Sequence, residues 1–129
     1  MRRGPFAGLE YPREIIAHAG FVPSKLLGSY EFELHHAIED AVLWNPDIVA
    51  NVGSGDGYFT VGFAKRLPDC VAIGYETDTR ERRSARRLAF SNQASATFVG
   101  TCSPQSLRTL ERTCDRCSSL TSRATSATY

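Results

Sequence analysis

The 129 residues are enough for one domain around one core, and 42% apolar beside 22% charged residues is the balance of an ordinary globular chain. A formal net charge of +1 gives no overall field that would favour nucleic acid or a membrane surface. No stretch approaches the roughly 20 apolar residues of a membrane span. No apolar signal core follows the basic start Met1-Arg2-Arg3-Gly4-Pro5, so the chain reads as cytoplasmic, with its four cysteines reduced.

Residues 1 to 28 are broken by Gly4, Pro5, Gly8, Pro12, Gly20, Pro23 and Gly28 and read as an irregular lead-in, with room for one short helix from Arg13 to His18. From 30 to 44 the apolar residues Leu34, Ala37, Ile38, Ala41 and Val42 recur at amphipathic helix spacing, with Ser29 as expected N-cap and Asn45-Pro46 as the stop. Asp47 to Val52 is a short apolar run that meets Gly53-Ser54-Gly55-Asp56-Gly57 at once. Phe59, Phe63 and Leu67 then predict a helix ended by Pro68.

A second strand is expected over Val71 to Tyr75, closed by Glu76. Asp78 is the expected cap of the next helix, with Glu81 as its capping-box partner and Ala85, Leu88 and Ala89 as its apolar stripe. Ala96 to Val99 is the third strand. The alternation implies an α/β fold: a Rossmann-like partial parallel sheet in the order 3-2-1, with flanking helices and right-handed crossovers.

The organisation predicted is a lead-in over 1–44, a cofactor-binding half-domain over 45–102 and a polar, poorly ordered tail over 103–129. From Thr101 onward the chain holds six Ser, six Thr, four Arg and three Cys, and only a helix from Ser106 to Cys114 can be written. The abrupt end of the apolar pattern near Cys102 fits a truncated, fragmentary or frameshifted product. With no further strands, the 47–52 strand is an open apolar edge that invites self-association.

Chemistry concentrates where the first strand turns into a helix through glycines at alternate positions. Glycine lets the backbone approach a ligand closely, and a helix start favours an anion. Glu76, 19 residues after Gly57 and at the end of the second strand, is placed to accept hydrogen bonds from ribose hydroxyls. A dinucleotide fingerprint, G-x-G-x-x-G, needs glycine at position 58, where this chain has Tyr58.

The G-x-G-x-G spacing resembles the first motif of the class I S-adenosylmethionine-dependent methyltransferases, and Tyr75-Glu76-Thr77-Asp78 resembles their second. The wider stretch, about 26 to 105, is similar to the FkbM-like group. The resemblance implies S-adenosyl-L-methionine as cofactor and methyl transfer to a small-molecule acceptor, a hydroxyl oxygen by expectation. It places Gly53, Ser54, Gly55 and Gly57 along the methionine end of the cofactor, Glu76 on the ribose, and Thr77 or Asp78 near the adenine edge. Asn51 stands where the family usually has an acid near the cofactor's ammonium group, keeping an acceptor but not the charge. No catalytic base is identified. The alternatives are a non-catalytic cofactor-binding remnant and a nicotinamide-dependent oxidoreductase fragment.

Other groupings read as structural. His35 and Glu39 share a helix face but are too few for a metal. Cys114-x-x-Cys117 lacks two zinc ligands and a redox setting. Arg80, Arg82, Arg83, Arg86 and Arg87 read as a solvated face, without stacking aromatics that would suit nucleic acid.

Overall fold

A computed structural model describes residues 1–17 and 20–101. Its centre is a three-stranded parallel sheet in the order β1-β2-β3, formed by β1 (Ile48–Val52), β2 (Val71–Tyr75) and β3 (Ala96–Val99). The β1–β2 register runs from Ile48 opposite Val71 to Val52 opposite Tyr75. Between β2 and β3 it runs from Ala72 opposite Ala96 to Tyr75 opposite Val99. The helices are α1 (Arg13–Ile16), α2 (Val22–Leu27), α3 (His35–Leu43), α4 (Tyr58–Arg66) and α5 (Thr79–Ser91). No helix of the described residues is long and apolar enough to cross a membrane.

All five residues of β2 are buried, as a central parallel strand requires. β1 has a near-continuous apolar sequence of the same kind, yet Ile48 and Val52 are exposed, Val52 at 78%. Its outer edge pairs with no strand among the described residues.

The lead-in departs from its sequence reading. Phe6, Leu9, Ile15 and Ile38 share one core with Tyr58, Val61, Ala85, Leu88, Ala89 and Phe98, so residues 1–44 and the 45–100 region bury each other. The Phe6 ring lies against Gly62, where a Cβ would come within 2.4 Å of it. The second helix of this segment, α2, escaped the sequence reading because Pro23 looked like a breaker. It sits in the first turn, where a missing N–H is harmless, and Gly28 closes the helix at φ 78°.

The helix expected from residue 30 starts later. Glu31 takes φ 46°, a 3₁₀ turn covers Phe32–Leu34, and α3 begins at His35 with no side-chain cap, so Ser29 is not its N-cap. Of the expected apolar stripe only Ile38 is buried. In α4 the deeply buried face carries Tyr58, Val61 and Ala64, while Phe59 and Phe63 are half-buried and meet Phe6 edge to face. The Asp78 cap of α5 is as expected, its side chain accepting from the N–H groups of Arg80 and Glu81. The reciprocal capping-box bond is taken by Glu76 instead, whose Oε1 accepts the Asp78 N–H. Of the cysteines, Cys70 is buried and free. Cys102, Cys114, Cys117, the Ser106–Cys114 helix and the 103–129 tail lie outside the described residues.

Candidate functional site

The glycine loop joins the end of β1 to α4, and its backbone is held from below. Gly53 and Ser54 donate to the Tyr75 carbonyl at 2.8 and 3.0 Å, and Gly57 donates to the Ser54 carbonyl at 2.9 Å. Three left-handed glycines make the turn: Gly53 at φ 75°, Gly55 at 52° and Gly57 at 87°. They differ in what surrounds them. At Gly53 and Gly55 a Cβ would meet nothing within 4 Å, whereas at Gly57 it would come 2.8 Å from the Ala85 Cβ. Gly57 therefore serves the packing of α4 on α5, and the first two leave open space beside the backbone.

Glu76 follows directly on β2 and reaches back to that loop. Its Oε2 accepts the Gly55 N–H and its Oε1 the Asp78 N–H, both at 2.9 Å. Those N–H groups, Asp78 first, hold the Glu76 carboxyl below the usual carboxylate range. The Thr77 N–H adds a third bond, and a carboxylate with about four acceptor sites keeps capacity beyond these. Asn51 donates through Nδ2 to Thr60 Oγ1 at 3.2 Å, tying the end of β1 to the first turn of α4. Ser54 is buried, and its Oγ has no hydrogen-bond partner among the described residues. It lies over Gly74, where a Cβ would come within 2.8 Å of it.

A cleft of about 400 Å³ opens in front of the loop. Asn51, Gly53, Ser54 and Gly55 line it, whereas Gly57, Glu76, Thr77 and Asp78 do not. Glu76 acts on it through Gly55. Thr77 and Asp78 are exposed, and the Asp78 carboxylate is engaged as the cap of α5.

The far wall holds what the sequence reading missed. Lys25 of α2 is only 6% exposed and its Nζ lies 2.8 Å from Asp56 Oδ2, inside the glycine loop. The same oxygen accepts from Tyr11 Oη at 3.4 Å, and Asp56 Oδ1 accepts the Tyr58 N–H at 3.3 Å. The ammonium also faces the rings of Tyr30 and Tyr58, 4.9 and 5.7 Å from their centroids. Burial, and then the nearby carboxylates, push Tyr30 and Tyr58 up to about 12 and Tyr11 further still. Glu31 and Glu81 share the cleft. Burial, then the charges of Asp56 and Asp78, raise the Glu81 carboxyl, with Lys25 opposing. The one sequence signal for this cluster was a lysine in the mainly apolar segment Val22–Leu27.

The other groupings are accounted for locally. His35 Nε2 lies 3.2 Å from the Tyr30 carbonyl, and Glu39 pairs with Arg66 at 2.7 Å. No group of three His, Cys, Asp or Glu side chains able to hold a metal occurs among the described residues. Arg82 and Arg86 donate to the backbone carbonyls of Glu76, Thr77 and Phe98. Arg83 and Arg87 line a separate open groove beside Phe90, an aromatic neighbour that the sequence reading did not assign to them.

No known family model matches this chain, and no curated protein matches its sequence.

Proposed function

We propose that this chain is the cofactor-binding portion of an S-adenosyl-L-methionine-dependent methyltransferase with a Rossmann-like sheet, acting in the cytoplasm on a small-molecule acceptor. The observation that carries the reading is the reach of Glu76 from the end of β2 to the N–H of Gly55 in the loop after β1. That bond puts a carboxylate with remaining acceptor capacity beside a glycine backbone that is open on one side.

The residues present fit the cofactor. Gly53 and Gly55 leave room for close approach, and Ser54 Oγ is a buried polar atom without a partner among the described residues. In this reading Gly53, Ser54 and Gly55 follow the methionine end, Gly57 sets the turn by packing, and Glu76 takes the ribose hydroxyls. With the Asp78 carboxylate committed to α5, the Thr77 side chain and the adjoining backbone remain for the adenine edge. The bound cofactor supplies an electrophilic methyl group for an acceptor nucleophile. The chain's part is to hold and orient it. A nicotinamide dinucleotide is disfavoured, because the position its fingerprint reserves for glycine is Tyr58, a side chain buried in the core.

Isothermal titration of the full chain with adenosylmethionine, adenosylhomocysteine and NAD tests this. The adenosyl ligands are expected to bind more tightly, and tighter NAD binding would overturn the reading. The outer edge of β1, which pairs with no strand among the described residues, favours a specific form of it, in which the chain binds cofactor but is catalytically silent until that edge is covered. Steady methyl transfer by the purified monomer would refute that form.

A further inference from the structure

The expected place for the cofactor's carboxylate is the start of α4, where helix N–H groups attract an anion. The chain already sets an anion of its own there. Asp56 Oδ1 accepts the Tyr58 N–H at 3.3 Å, so that donor is already taken. The cation that lines the same cleft among the described residues is Lys25, and its hydrogen bonding is incomplete. An ammonium has three N–H donors. Among the described residues Lys25 has one acceptor, Asp56 Oδ2 at 2.8 Å, and otherwise faces the rings of Tyr30 and Tyr58. A buried ammonium is stabilised by further hydrogen bonds to its remaining donors. Asp56 has little left to give, since its two oxygens already accept from Lys25, Tyr11 and Tyr58.

We propose that Lys25 is a ligand-binding residue, whose buried ammonium receives the carboxylate of an amino-acid head group in the cleft. The inference rests on the cofactor reading above and adds to it a charged partner from the N-terminal segment. Opposite charge is also in place. Glu31 and Glu81 line the same cleft, and they supply negative charge for the ammonium of such a head group where Asn51 supplies none. The Lys25–Asp56 pair thus has two tasks. It fixes α2 against the glycine loop, and it holds the lysine where two of its donors remain for ligand.

The test compares two ligands that differ only beyond the thioether: adenosylhomocysteine, with the amino-acid head, and methylthioadenosine, without it. Both are titrated into the full chain and into Lys25→Met. Adenosylhomocysteine binding is expected to weaken about ten- to a hundredfold in the variant, with methylthioadenosine binding unchanged. Because Lys25→Met leaves Asp56 buried and unpaired, the double variant Lys25→Met, Asp56→Asn is measured alongside, with a thermal melt of each. It removes both charges of the pair and is expected to show the same loss of selectivity. If wild type binds adenosylhomocysteine and a folded variant binds both ligands as wild type does, or loses both equally, Lys25 does not read the carboxylate. If wild type binds neither ligand, the cofactor reading itself is overturned.

Discussion

Alanine at Gly57 and alanine at Gly53 impose similar backbone strain but different packing, and the difference can be worked from the structure. Both glycines sit in the left-handed region, at φ 87° and 75°. A Cβ there costs roughly 1–2 kcal/mol. At Gly53 nothing lies within 4 Å of that Cβ, so the cost stops there. At Gly57 the new methyl would stand 2.8 Å from the Ala85 Cβ and 3.1 Å from Phe98 Cζ. Ala85 belongs to α5 and Phe98 to β3, both buried, so neither yields cheaply, and overpacking of this kind adds about 1–3 kcal/mol. Gly57→Ala is therefore expected to destabilise by about 2–5 kcal/mol and Gly53→Ala by about 1–2 kcal/mol. Urea denaturation followed by circular dichroism reads this as a larger fall in midpoint for Gly57→Ala at unchanged slope. Ala85→Gly in the Gly57→Ala background is expected to recover part of the loss, because the two sites share one contact. Equal midpoints for the two single variants, or no recovery from Ala85→Gly, would refute the claim that Gly57 is there for packing. Ligand affinity should show the reverse order, with Gly53→Ala folding well and binding adenosylhomocysteine poorly.

Glu76→Ala is expected to weaken adenosylhomocysteine binding by about 1.5–3 kcal/mol, measured by titration, and an unchanged affinity in a folded variant would remove Glu76 from the site. Its carboxyl is lowered in the folded chain, so its stabilising contribution is complete above the ordinary value of 4.5 and is lost as pH falls through the lower folded value. Acid denaturation should thus start at the same pH but fall less steeply in Glu76→Ala than in wild type. Tyr11, Tyr30 and Tyr58 are all raised, the latter two to about 12. Ultraviolet titration should show these tyrosines still protonated well above pH 10, and stability should decline above that pH, where unfolded tyrosines release protons that folded ones keep. The single tryptophan, Trp44, is 81% exposed beside Leu43 and just before the β1 edge that pairs with no strand among the described residues. Association through that edge should shift its fluorescence to the blue as concentration rises, in step with sedimentation velocity, and a concentration-independent monomer would argue against it.

The alternation of apolar runs with helical spacing made the three parallel strands and the two helices between them legible from the sequence, because each period reflects which face an element must bury. Asp78 was equally legible as a helix cap, since capping is a bond within a few residues of chain. The glycine loop and the acid after β2 could be recognised as a unit for the same local reason. What the sequence could not disclose depends on residues far apart in the chain. Phe6 lies in the core against α4 because Gly62 leaves room for its ring. Gly57 differs from Gly53 because Ala85 of α5 and Phe98 of β3 pack beside one and not the other. Lys25 and Asp56 are 31 residues apart, and nothing local in the sequence links them. Only the docking of α2 onto the glycine loop buries them together and turns a charge on each segment into one wall of the cleft.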